Sequence, residues 1–148
     1  MCAGCISRCA MRDRDDDGRA RNARPRDALG RPLPYGSTGV PPLPEPIDPA
    51  PAAVVGLTNQ LLNDGLPFQA HEALEAAWKA APEDERPAWQ GLAQLAVAIT
   101  HARRGNVAGA QKLSERALVN LQAGRLPPVA EALRDRLLAD VNQAFIRR

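Results

Sequence analysis

Across residues 66–121 apolar side chains return every three or four positions, in three successive runs bounded by glycine or proline. That spacing puts each apolar set on one face of an α-helix, and none of the runs alternates with the period of two that a strand requires. The pattern confines the chain to an all-α fold. Aromatic residues make up 3% of the sequence, so leucine and alanine must fill most of the interior.

The remaining helices read outward from this stretch. A first helix covers residues 52–63, with Val54, Leu57, Leu61 and Leu62 at helical spacing and Asn63-Asp64-Gly65 as a stop. The second covers residues 68–81 behind a first-turn Pro67, and Phe68, His71, Glu75 and Trp78 share a face with Leu74 beside them. The third opens at Pro82-Glu83-Asp84-Glu85, acids at its positive end, with Pro87 tolerated only in the first turn. One of its stripes is Trp89, Leu92, Ala96 and Ile99, with Leu95 adjoining; the neighbouring stripe is Gln90, Gln94, Val97 and His101. Gly105 ends it and Asn106 caps the fourth helix, residues 107–122, expected to bury Ala110, Leu113, Ala117, Leu118 and Leu121. After Pro127-Pro128 a fifth carries Val129, Leu133, Leu137, Val141 and Phe145 at helical spacing. Short connections make neighbours antiparallel, so the expected architecture is a compact irregular array of about five helices.

Three regions follow: an Arg/Asp-rich leader over 1–23, a proline-rich extended segment over 24–51, and a helical domain over 52–148. The leader is expected to be disordered. Residues 24–51 contain nine prolines, which lack the amide proton and turn the preceding residue away from helix. Leu29, Leu33, Pro34, Tyr35, Val40 and Leu43 give this segment apolar side chains with which to dock on the helices as a strap. Residues 1–31 hold eight Arg against five Asp, while the rest is nearly neutral. The interspersed acids and missing aromatics make the leader a solvated tail and not a nucleic-acid site.

Cys2, Cys5 and Cys9 all lie in the first nine residues, so no disulfide staples the helical region. Their spacing lacks the fourth ligand of a closed metal site. The sequence changes character at Met11, and residues 1–10 read either as leader or as an over-long start. The segment has no apolar core of signal-peptide length, and the longest apolar run, residues 92–100, is broken by Gln94 and too short for a bilayer. A cytoplasmic protein with no membrane association is the expectation.

The chemistry concentrates in His71, Glu72, Glu75, Gln90, Gln94 and His101. His71 and Glu75 are one turn apart, and Gln90, Gln94 and His101 share a stripe of the next helix. With the two helices antiparallel, one arrangement is a hydrogen-bond network that fixes helix register, packed about by Phe68, Leu74 and Trp78. The other is a divalent-metal site in which His71, Glu75 and His101 supply two imidazoles and a carboxylate, with Glu72 either supporting a ligand or acting as general base. The segment reads His-Glu-x-x-Glu, not the His-Glu-x-x-His of metalloproteases, and no Ser/His/Asp or Cys/His arrangement is present. The two readings correspond to a structural or interaction module, binding a protein partner or its own copy, and to a metal-dependent, hydrolase-like enzyme. No period near 34 residues recurs, which argues against a stacked helical repeat.

Phe68-Gln69-Ala70-His71-Glu72-Ala73-Leu74-Glu75-Ala76-Ala77-Trp78 resembles the family catalogued as domain of unknown function 309. Gly91-Leu92-Ala93-Gln94-Leu95-Ala96, His101 and Gly105-Asn106-Val107-Ala108-Gly109-Ala110 extend the resemblance across roughly residues 57–121. It implies a compact irregular helical array in the cytoplasm and no assigned reaction. Relatives often carry Glu where this chain has Gln69, so a role needing a carboxylate at that position is absent here.

Overall fold

The computed structural model describes residues 24–146. The cysteine-bearing leader, with the disorder expected of it, lies outside the described residues. Five α-helices follow in order: α1 (Pro51–Asn63), α2 (Pro67–Ala80), α3 (Arg86–Arg103), α4 (Val107–Ala123) and α5 (Glu131–Ile146), the last entered through a 3-10 turn, Pro128–Ala130. The described residues contain no strand, only an isolated bridge between Arg26 and Pro32. The chain is all-α.

Local chemistry sets the boundaries. Proline occupies the first turn of α1, α2 and α3, where its missing amide proton costs nothing. Gly65 and Gly105 close α1 and α3 at φ +73° and +85°, a left-handed backbone that side chains disfavour. Asn106 caps α4 by accepting the Gly109 amide at 3.0 Å. The third helix starts later than the sequence suggests. Glu83, Asp84 and Glu85 form the turn before Arg86, and the amides of Glu85 and Arg86 both donate to the Pro82 carbonyl. Glu85 is buried there and accepts from the Arg125 guanidinium at 3.0 Å.

Helix α3 is the hub, packed against α2, α4 and α5. Trp89, Leu92, Leu95 and Ile99 are fully buried, meeting an interior that includes Leu74 of α2, Val54 of α1, and Leu133 and Leu137 of α5. Each such side chain contributes roughly 1.5–3 kcal/mol by leaving water. Between Ala88 and Ala102 the residues not buried are Gln90, Gln94, Val97 and His101, the half-polar stripe.

Alanine-rich faces let the helices approach closely. A Cβ at Gly91 would lie 2.9 Å from the Ala117 carbonyl oxygen of α4. Because α4 packs chiefly on α3, its buried stripe is narrow: Ala110 and Ala117 are buried, with Leu113 and Leu121 at its margins. Leu118, expected inside, is 48% exposed, since the next residue along a helix is turned about 100° away. Val129 is likewise exposed, because it sits in the 3-10 turn before α5 begins.

Candidate functional site

Residues 24–50 carry no helix and form a strap across the start of α2. A turn at its N-terminal end is held by Asp27, whose carboxylate accepts the amides of Leu29 and Arg31 at 3.0 and 2.8 Å. Leu33 and Val40 return their amides to the Pro25 and Arg26 carbonyls, which folds the segment back on itself.

Several contacts fasten this strap to the helices. Gly30, at φ +72°, is buried against the Phe68 ring so closely that a methyl group there would overlap it. The Arg26 guanidinium lies 5.4 Å from the Phe68 centroid and donates to the Gly30 carbonyl. Arg104, at the end of α3, donates to the Leu29 carbonyl, and Gln69 Nε2 donates to the Pro41 carbonyl at 2.6 Å. Leu43 packs against the core farther along.

Two clefts flank the crossing of strap and helix. The first, about 560 Å³, has Phe68, Gln69 and Glu72 as its floor and Arg24, Arg26, Tyr35 and Val40 in its walls. The second, about 500 Å³, is walled by Leu43, Glu45 and Ile47 of the strap and by Glu72, Glu75 and Lys79 of α2. Glu72 and Pro42 belong to both. Burial holds the Glu72 carboxyl above its ordinary value of 4.5, against the lowering influence of His71 and Arg26, and Glu75 and Glu45 push it further up.

The structure divides the sequence-predicted polar set. His71 Nε2 and Glu75 Oε1 meet at 3.0 Å, with Glu75 accepting when that nitrogen is protonated; the His71 ring is 5.7 Å from Phe68. His71 Nδ1 is buried with no hydrogen-bond partner among the described residues, and His71 lines neither cleft. Gln94 accepts instead from Asn120 of α4 at 2.8 Å. His101 Nδ1 pairs with Asn106 Nδ2 at 3.2 Å, across the turn that ends its own helix. The Gln90 side chain is half-buried and makes no hydrogen bond among the described residues.

The network expected between α2 and α3 is therefore not assembled as one centre. Nor is the metal triad of His71, Glu75 and His101: among the described residues no three His, Cys, Asp or Glu side chains stand where they could hold a metal ion. The reason is packing. The α3 stripe that faces inward is the apolar one, while the half-polar stripe is directed to α4 and to the Gly105-Asn106 turn. Phe68 serves strap docking, Leu74 is core, and Trp78 packs half-buried against the core.

Sequence reasoning set Gln69 aside because it lacks a carboxylate. Its amide is what the site uses, for a glutamate ionised at neutral pH could not donate to Pro41. Arg26, Gly30 and Arg104 were missed because the contacts that dock them, to Phe68 and Leu29, span tens of residues, and no short-range signal marks them.

Fold and site together define a small all-α domain with a proline-rich strap seated on its second helix. Residues 58–113 match the family model described as Domain of unknown function (DUF309), which bears out the resemblance over that segment. The uncharacterized protein YpuF of Bacillus subtilis (strain 168) is 47% identical over 57 residues, 38% of this chain and 33% of that protein. The chain thus spans about a third of that relative's length. No solved structure matches. The matched segment contains the cleft floor, whereas the strap and α5 lie beyond it. No helix of the described residues is long and apolar enough to cross a membrane.

Proposed function

We propose that the protein is a cytoplasmic interaction module whose α2 face receives extended, proline-rich polypeptide, with its own strap as the resident occupant. One observation carries this reading: Gln69 donates to the Pro41 carbonyl at 2.6 Å, at the start of the run Pro41-Pro42-Leu43-Pro44. A proline-rich chain offers carbonyls without matching amide protons, so a surface that reads it needs donors and flat apolar rings. Gln69 is such a donor and Phe68 such a ring. The His71–Glu75 pair has a supporting role, with Glu75 orienting the imidazole beside Phe68.

The test uses the full chain and a labelled synthetic peptide of residues 36–48. Gly30→Val forces the turn off Phe68 and frees the α2 face, while circular dichroism checks that the helices persist. Fluorescence anisotropy should show this variant binding the peptide at least about tenfold more tightly than the wild type, a difference near 1.4 kcal/mol. Adding Gln69→Ala should weaken that binding. A folded Gly30→Val chain that ignores the peptide would sink the proposal.

A further inference from the structure

The two clefts beside the strap share Glu72 and Pro42, and each is lined by charges of both signs. Arg24 and Arg26 stand in the walls of the first. Glu45 and Glu75 join Glu72 in the second, with Lys79 as its one cation among the described residues. Arg24 lies over the Tyr35 ring, 5.2 Å from its centroid, and forms no ion pair among the described residues. The Asp27 carboxylate in the same wall already accepts two turn amides. The first cleft therefore offers guanidinium groups, Arg24 and Arg26, and the Glu72 carboxylate, together with apolar surface from Val40, Pro41, Pro42 and Phe68.

A simple anion meets Arg24 but also faces Glu72, and a simple cation meets the reverse. A ligand charged oppositely at its two ends satisfies both. The cleft's volume lies within the roughly 300–1,000 Å³ typical of small-ligand sites. We infer that this trough binds a short peptide with free ends, its carboxylate on Arg24 and its ammonium on Glu72, with Glu45 and Glu75 adding negative potential at the ammonium end. The inference rests on the reading of the α2 face as a polypeptide-binding surface. Backbone groups of the ligand would run beside the strap, where Gln69 and the Pro41–Pro42 carbonyls line the wall.

Trialanine is the probe, titrated into the full isotope-labelled chain and followed by amide shifts in two-dimensional NMR. Shifts should appear at Arg24, Phe68, Gln69 and Glu72. Acetylating the amine or amidating the carboxylate should each weaken binding about tenfold or more, the cost of losing one charged contact. Arg24→Gln should erase the penalty for amidation alone, and Glu72→Gln the penalty for acetylation alone; unchanged spectral dispersion confirms that each variant is folded. Equal binding of free and capped peptides, or no shifts up to about 10 mM trialanine, a Kd corresponding to less than about 3 kcal/mol, overturns the inference. The two readings can fail separately. If the 36–48 peptide binds the Gly30→Val chain while trialanine leaves the wild type unperturbed, the dipolar trough is wrong and the proline-reading face stands. The opposite pair of results removes the proline-reading face, while the trialanine shifts and their dependence on free ends uphold the dipolar trough.

Discussion

Replacing Gly91 by alanine tests the close contact on which the hub depends. The added methyl carbon would stand 2.9 Å from the Ala117 carbonyl oxygen, 3.0 Å from Leu121 Cγ and 3.3 Å from the Leu121 amide nitrogen. Two of those three atoms are α4 backbone, so relief requires moving a helix and not a side chain. Two effects oppose each other. Alanine in a helix interior is favoured over glycine by about 1 kcal/mol, whereas overpacking a well-filled interface costs about 1–3 kcal/mol. Since the obstruction is backbone, the penalty should come from the upper part of that range, for a net loss of about 1–2 kcal/mol. In a helical domain of about 100 residues that lowers Tm by roughly 4–8 °C per kcal/mol. Gly56 supplies the control: it is exposed in α1, and a Cβ there meets nothing within 4 Å. Gly56→Ala should therefore stabilise by about 0.5–1 kcal/mol through propensity alone. Urea melts of both variants settle the matter. The same chemical change must act with opposite sign at the two sites, and a Gly91→Ala chain stabilised like Gly56→Ala would refute the close α3–α4 approach.

Other expectations follow from single contacts. Trp89 is 1% exposed at the centre of the interior, so Trp89→Ala should cost about 3–5 kcal/mol in urea unfolding, and a loss below about 1 kcal/mol would contradict its burial. Asn106→Ala removes the α4 cap and the His101 partner together, with an expected loss of about 1 kcal/mol, read as a lower thermal midpoint. Glu72 has a raised carboxyl pKa, chiefly from burial, so the folded state holds its proton more tightly than the unfolded chain. Its contribution is greatest below the ordinary carboxylate range and is lost as pH rises through the raised value. Glu72→Gln should flatten the fall in urea midpoint over that window and be the more stable chain at neutral pH; an unchanged pH profile would show that Glu72 is not buried as described.

Much of the helical fold was legible because its determinants are short in range. The stop at Asn63-Asp64-Gly65, the first-turn prolines and the Asn106 cap act within a few residues, and the helices end close to where those residues stand. The apolar stripe of α3 is likewise local, and every member of it is buried. His71 and Glu75, one turn apart on one helix, share a face as the spacing suggests, and there they meet each other. Periodicity does not say which helix covers which stripe. Gln94 and His101 were expected to turn toward α2, but they pair with Asn120 and Asn106. Leu118 has the same character as its buried neighbours, yet a single packed face leaves no room for it.

The amino-acid order alone determined that this protein is helical, where its helices break, and which sides of them avoid water, because those properties follow from backbone sterics and spacing within a turn or two. The tertiary structure decided that α3 lies at the centre, that a glycine-to-carbonyl approach seats α4, and that the strap comes to rest on Phe68 and Gln69. Those outcomes depend on contacts between residues tens of positions apart, such as Arg104 with Leu29 and Gln69 with Pro41. Such pairs form only when whole faces have matched in shape, and no spacing rule within one helix encodes that match.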